Sequence, residues 1–391
     1  MRRLVLTFAV TQTVGYGVLF YTFGVFNVPL ARDLNASATT VSGALTVSVL
    51  AAAAGAFPVG RWLDRRGGRA LMTSGSIVGT GAVLAWSQAR TVWQLYAAML
   101  VIGLCCAAVL YEAAFAVVVK NVKPPKRSGA ILAISIAGGF ASTIFMPLAG
   151  VLGEELGWRT ALVVLAVIHG CLTIVPHALW VPRKGMDQES PGPRLPLAAA
   201  LGDRVFWLLV VGFTANSAAA SAVAVHLVGY LLGLGHTVTI AAAITGLLGA
   251  MSVAGRLLTT RLSQRFSTAA IATVIYVGQG ACMLLLPMVG GSVAGAAGCV
   301  LGFGLGFGVA SIARPTILAD RYGAMAFGRI SGTLTVPVIL ARAAAPLAVA
   351  TLTISGLPLF ASLTSLLAAA CLAAAAALST GSLPATAIPP N

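Results

Sequence analysis

A dozen stretches of about twenty apolar residues follow one another along this chain, each set off from the next by a few polar or turn-forming residues. A helix needs about 20 apolar residues to cross a bilayer. In hydrocarbon the backbone must satisfy its own N–H and C=O groups, so each stretch reads as a helix. Composition agrees: of 391 residues, 59% are hydrophobic and 8% charged, against about 25% charged in a soluble domain. The expected fold is an all-α membrane protein with twelve transmembrane helices. The first six spans fall at about 4–30, 40–60, 70–88, 93–119, 128–152 and 159–181. The second six fall at about 204–233, 237–260, 267–288, 292–319, 328–353 and 357–379. The implied divisions are an N-terminal six-helix half, 1–181, a linker, 182–203, a C-terminal half, 204–380, and a disordered Pro-containing tail, 381–391.

The net charge of +15 raises nucleic acid as a partner, but the positions of the charges argue against it. Nineteen of the 24 Lys and Arg residues fall on one side of the expected topology, in the clusters at 2–3, 61–69, 120–127, 183–204, 261–265 and 314–329. Only Arg32, Arg90 and Arg159 fall on the other. Basic loops stay in the cytoplasm, so both termini and the linker are expected there. The expected location is the plasma membrane, or the inner membrane of a bacterium. Met1-Arg2-Arg3 before an apolar run resembles a secretion signal. That run continues to Leu30 with no small-x-small cleavage site, so it reads as the first span. The six cysteines all sit in apolar runs without metal-ligand spacing, which suits small buried apolar residues. No metal, cofactor or ATP-binding loop is expected.

Residues 60–69, Gly-Arg-Trp-Leu-Asp-Arg-Arg-Gly-Gly-Arg, form a short charged connection between spans 2 and 3. The pattern Gly-x-x-x-Asp-Arg-x-Gly-x-Arg resembles the loop between helices 2 and 3 of the major facilitator superfamily of transporters. Gly60, Asp64, Arg65, Gly67 and Arg69 match, while Gly68 stands where that family usually has a basic residue. The resemblance implies a charge relay from Asp64 and the arginines to neighbouring helix ends, a gate that latches one conformation. A weak internal repeat points the same way. Trp62-Leu63-Asp64-Arg65 returns as Leu262-Ser263-Gln264-Arg265, and Pro147-Leu148-Ala149 as Pro346-Leu347-Ala348. Two pseudo-symmetric six-helix halves, with substrate held near the midplane, are the architecture the resemblance implies.

Two arginines have no counterpart in the repeat: Arg256 aligns with Ala56, and Arg342 with Thr143. Arg342 lies 13 residues past Arg329, which at ~1.5 Å per residue is about 20 Å along its helix. An arginine near the bilayer centre costs about 2.5–3.5 kcal/mol to insert. The one acid expected deep in a span is Glu112. Two arginines against one glutamate leave a positive charge over, and an anionic substrate would neutralise it. Snorkelling of Arg256 to the membrane face and a structural pair between Arg342 and Glu112 are the competing readings. Gly255-Arg256 followed by Ser263 also resembles the monocarboxylate transporter and oxalate/formate antiporter branch. There an arginine in this helix binds the substrate carboxylate, and the oxalate exchanger adds a cation in helix 11, where Arg342 stands. The chain lacks that branch's helix-1 lysine and has Ser252 in place of its aspartate.

Polar residues in spans 1 and 7 extend the candidate site. Gln12, Tyr16, Phe23 and Asn27 fall on one helical face at ~100° per residue. Asn216, His226 and Tyr230 share a wider sector of span 7. Interhelical hydrogen bonding is the plainer explanation for each, at about 0.6 kcal/mol per bond. His169 and His177 are expected at the periphery, without a role. The run Gly-Phe-Gly-Leu-Gly-Phe-Gly at 302–308 follows no strand and reads as close helix packing rather than a dinucleotide loop. No nucleophile–base pair suggests an enzyme.

The expectation is a monomeric secondary transporter of a small mono- or dicarboxylate, by proton symport or exchange, working by rocker-switch alternating access. Its binding residues would be Arg256, Arg342, Glu112, Tyr16, Gln12, Asn216, His226 and Tyr230. The alternative is a proton-driven drug or metabolite exporter with Glu112 as coupling acid. A non-transporting membrane partner is a third class, for which a large soluble appendage would be the sign.

Overall fold

A computed structural model describes residues 2–183, 197–323, 326–351 and 356–379. Among these the chain is helical nearly throughout, and ten helical stretches are long and apolar enough to cross a membrane. Thr91 is the N-cap of one helix and bonds Gln94 reciprocally in a capping box. Ser37, Thr237 and Ser292 cap others by accepting from the backbone N–H three residues on. Ser37 pairs with Thr237 at an offset of 200, and Thr91 with Ser292 at 201. The turns before the first pair also correspond: Asn35 has φ 47° and Gly235 φ 92°. The internal repeat is therefore carried by helix starts more clearly than by the helices themselves.

The chain divides into two compact units, 1–191 with 324–336, and 192–323 with 337–391. This differs from a division at the linker, because the start of the penultimate helix belongs to the first unit. That unit contains α1 (Arg2–Tyr16), a π-helical turn (Gly17–Tyr21), α2 (Thr22–Asp33), α3 (Ala38–Arg66) and α4 (Arg69–Ser87). It continues with α5 (Val92–Val109), α6 (Tyr111–Asn121), α7 (Pro124–Gly139), α8 (Ala141–His169), a second π turn (Gly170–Ile174) and α9 (Val175–Trp180). Phe8, Phe23, Phe26 and Trp86 are among its largest fully buried side chains. The second unit contains α10 (Leu197–Gly202), α11 (Arg204–Gly233), α12 (Val238–Leu262), α13 (Thr268–Val289) and α14 (Val293–Tyr322). It ends with most of α15 (Phe327–Thr351) and with α16 (Leu357–Ser379).

Several expected boundaries are corrected. Span 4 is two helices, because Leu110 is extended at φ −84°, ψ −165°. Span 5 breaks at Phe140. The turn between spans 5 and 6 is the single residue Gly157, at φ 74°, ψ 153°. The charged motif is mostly helix rather than loop: α3 continues to Arg66, and only Gly67 and Gly68 turn the chain. The linker carries the short helix α10, while its residues 184–196 and the tail from 380 lie outside the described residues.

Two expectations about single residues also change. Cys171 is exposed rather than buried. His169 and His177, expected to have no role, are buried and hydrogen-bonded. Ser76 Oγ lies 2.8 Å from His177 Nδ1, and Thr80 Oγ1 lies 2.9 Å from His169 Nδ1, joining α4 to the last expected span of the first unit. Thr80 Oγ1 already donates its proton to the Ser76 carbonyl at 2.8 Å. His169 must therefore donate from Nδ1, which fixes its tautomer.

Candidate functional site

The motif at 60–69 works through one close crossing. A Cβ on Gly60 would collide with the backbone of Gly328, and one on Gly332 would meet the Ala56 carbonyl. Helix α3 and the first turns of α15 therefore touch backbone to backbone. That contact brings Asp64 to the N-terminus of α15, where helix N–H groups point out unpaired. Asp64 accepts from the N–H groups of Gly328 at 3.0 Å and Arg329 at 2.8 Å. Arg329 Nε adds a bond at 3.3 Å, and Lys120 Nζ from the end of α6 approaches to 2.9 Å. Lys120 also donates to the Leu63 carbonyl at 3.0 Å. The Asp64 side chain is only 3% exposed.

Gly67 supplies the turn that ends α3, at φ 76°, a conformation L side chains rarely adopt. Arg69 donates to the carbonyls of Val181 at 2.6 Å and Leu179 at 3.4 Å, tying α4 to the end of α9. Arg65 is exposed. The contacts of Asp64 thus involve Lys120, Gly328 and Arg329 as well as the motif. Sequence reading counted Lys120 and Arg329 only as topology charges. Their positions at the ends of spans 4 and 11 were the available signal.

The break at Leu110 builds the second feature of the first unit. It strips the Val109 carbonyl of its place in the helical ladder, and Gln12 Nε2 donates to it at 2.8 Å. Gln12 is fully buried. Just past the break, Glu112 lies in the first turn of α6 and accepts from Ser331 Oγ of α15 at 3.1 Å. A carboxylate there is favoured by the helix N-terminus. Tyr111 donates to the Ser135 carbonyl at 3.1 Å. Its ring stacks on Phe115 at 5.0 Å and meets Tyr16 at 4.6 Å. Tyr16, Tyr111 and Glu112 are therefore gathered around one helix break.

The stripe expected in span 1 does not survive as one face. The π turn at Gly17–Tyr21 adds a residue between Tyr16 and Phe23 and shifts the phase of everything beyond it. Phe23 packs on Trp86 at 5.7 Å, and Asn27 donates to Ser42 Oγ at 3.1 Å.

In the second unit, Arg342 is exposed in the middle of α15. Among the described residues its guanidinium has no hydrogen-bond or ion-pair partner. Its backbone is held instead. Ser221 Oγ of α11 donates to the Arg342 carbonyl at 2.6 Å, and His226 Nε2 donates to the Pro346 carbonyl at 2.8 Å. A carbonyl only accepts, so His226 carries its proton on Nε2. Asn216 and Tyr230 lie on the same helix as Ser221 and His226, both buried.

Arg256 is half-buried on α12. Gly255 packs on the backbone of Leu305, and a Cβ on Gly308 would meet both the Ser252 carbonyl and, at 2.8 Å, Arg256 Cγ. The glycine run of α14 is thus a close helix contact, and Gly308 leaves the space that the Arg256 stem occupies. At one end of this unit Asp203 caps α11 through Val205 N–H at 3.0 Å. It also accepts from Arg321 Nε at 2.7 Å and Tyr322 Oη at 2.8 Å. Burial raises the Asp203 pKa, but these hydrogen bonds and the Arg321 charge outweigh it and leave it below the ordinary value. Among the described residues no group of three or more His, Cys, Asp or Glu side chains could hold a metal ion.

Membrane-length apolar helices that follow one another along the described residues define a multi-pass membrane protein. The sequence matches the Major Facilitator Superfamily over residues 9–346, and the chain belongs to that family. It is a multi-pass membrane protein and a transporter rather than an enzyme. Solved structures share its fold. A bacterial homologue of the iron transporter ferroportin, in an outward-facing state with soaked iron, aligns with a TM-score of 0.77 at 15% identity, covering 96% of this chain and 98% of that one. The human organic anion transporter MFSD10 aligns with a TM-score of 0.68 at 15% identity, covering 97% and 99%. No curated protein matches the sequence.

Proposed function

We propose that this protein is a secondary active transporter of a small organic anion, a mono- or dicarboxylate. It alternates access by a rocker switch, by proton coupling or exchange. Arg342 and Arg256 serve as cationic ligands, and Glu112 tunes the site or couples it to a proton. The resemblance of Gly255-Arg256 to the carboxylate-transporting branch belongs to this reading, as does a plasma-membrane or bacterial inner-membrane location with both termini in the cytoplasm. Twelve spans in two halves are part of it too. The 55-residue stretch Lys126–Trp180 is long enough for two crossings, and α15 adds one more.

The observation that carries the reading is Arg342: a guanidinium exposed at mid-helix with no counter-charge among the described residues. A cation held at that depth is costly unless water, or a ligand anion, reaches it. The description of one structural neighbour as an organic anion transporter is compatible with this reading and adds little at 15% identity. The test is flux of radiolabelled acetate, lactate, oxalate and succinate into proteoliposomes, with and without a pH gradient. At least one should be taken up, and Arg342→Ala should abolish its uptake. Uptake unchanged in both Arg342→Ala and Arg256→Ala would rule the reading out.

Glu112 supports a second reading, a proton-driven exporter of drugs or metabolites. It lies beside a helix break and bonds Ser331 of α15, one turn from the Asp64 latch. Lipophilic cations, rather than carboxylates, would then stabilise the purified protein in a thermal-shift panel.

A further inference from the structure

Pro346 lacks a backbone N–H and lies four residues after Arg342 in α15. In a regular helix the N–H at position 346 would bond the carbonyl at 342. The proline therefore orphans the carbonyl of the residue whose side chain is the proposed anion ligand. Ser221 of α11 takes up that carbonyl at 2.6 Å. One turn further on, His226 takes up the Pro346 carbonyl at 2.8 Å. Positions 221 and 226 on one helix thus grip positions 342 and 346 on the other. The grip falls on the backbone and leaves the Arg342 guanidinium exposed.

We infer that Ser221 is a positioning residue for anion binding, acting through the proline-orphaned carbonyl of Arg342. The inference rests on the reading of Arg342 as an anion ligand. A guanidinium binds a carboxylate well only in a narrow, two-pronged geometry. Where its Cα sits along a broken helix therefore decides whether the fork meets the substrate. In α15 that placement is not set by the helix's own ladder, because the ladder has lost its bond at this point. It is set by a hydroxyl from α11. A helix carbonyl left without its ladder donor takes another partner where one is offered, so loss of the hydroxyl lets α15 settle into a different bend and carries the guanidinium with it.

A serine that merely glues two helices would lower stability and leave substrate affinity alone. A positioning serine changes KM. The experiment measures uptake of acetate, lactate, oxalate and succinate in proteoliposomes by the full chain and its variants. Ser221→Ala should raise KM about tenfold for the transported carboxylate while Vmax per folded protein changes less than about twofold. Ser221→Thr, which keeps the hydroxyl, should restore a KM near that of the natural chain. Pro346→Ala returns an N–H to position 346 and gives the Arg342 carbonyl its own helical donor. In that background, Ser221→Ala should have no further effect on KM.

An unchanged KM in Ser221→Ala, or equal and additive effects in the presence and absence of Pro346, overturns the inference. If Ser221→Ala fails to fold, Ser221→Thr and the Pro346→Ala/Ser221→Ala double variant still decide it: the double variant must match Pro346→Ala alone. Arg342→Ala separates the two levels. If it abolishes uptake and Ser221→Ala does nothing, only the role of Ser221 falls. If it transports normally, this inference falls; if Arg256→Ala does so too, or none of the four carboxylates is carried, the anion reading falls with it.

Discussion

Asp64 and Arg342 hold their charges in opposite ways. Asp64 is 3% exposed and receives two backbone N–H groups and two cationic side chains. Removing one partner of a buried charge cluster costs about 3–5 kcal/mol, because the remaining charges stay buried. Asp64→Ala should therefore lower the midpoint of thermal or denaturant unfolding markedly, whereas Arg65→Ala, at an exposed position, should leave it nearly unchanged. Arg342 has no such cage, so Arg342→Ala should cost little stability and most of the transport. Asp203 adds a pH term. Its folded pKa is depressed, so its contribution is present above the unfolded carboxylate value, about 3.9, and is lost as pH falls through the lower folded value. Asp203→Asn should reduce stability at neutral pH, and the gap from the natural chain should close in strong acid. A gap that persists there would mean Asp203 acts through packing and not charge. The deep arginines and the motif acid could be read from sequence because a charge in an apolar run is conspicuous. Ser221 could not, because its contact is with a carbonyl 121 residues away; Lys120 offered only its position at a helix end.

Helix breaks, more than helices, give this protein its chemistry. Leu110 frees the Val109 carbonyl for Gln12 and starts α6 at Glu112. Gly157 alone turns the chain between spans 5 and 6. Apolar periodicity predicted where helices lie, and spans 7 and 12 match to the residue. It could not show the break at Leu110, which contains no Pro or Gly and sits in a continuous apolar run. Nor could it show the π turn that dissolves the span-1 stripe, since a helical wheel assumes a constant 100° step. The glycine contacts were partly legible, because small residues in membrane helices mark close approach. At this scale Gly308→Ala is the sharpest probe. It should force α14 off the Ser252 carbonyl of α12, displace the Arg256 stem with it and raise KM for the transported carboxylate several-fold, whereas Gly298→Ala, where a Cβ meets nothing within 4 Å, should have no effect. Gly60→Val should pry α3 from α15 and mimic loss of the Asp64 latch in the unfolding assay.

For the whole molecule, the decisive quantity is the balance of charge inside an apolar scaffold. Most of the positive charge falls in clusters between the apolar runs of the sequence. Membership of the Major Facilitator Superfamily accounts for the scaffold without specifying the cargo. The sequence carried the family in its ten-residue motif and its twofold repeat. It carried the cargo, if at all, in two arginines that the repeat does not explain. Calorimetric titration of acetate, lactate, oxalate and succinate into purified natural protein and Arg342→Gln measures that point most directly. A hydrogen-bonded charge contact contributes about 1.5–3 kcal/mol, so one of the carboxylates should bind the natural protein at least about tenfold more tightly than the variant. Equal affinity in the two proteins, or no binding of any of the four, would contradict the account.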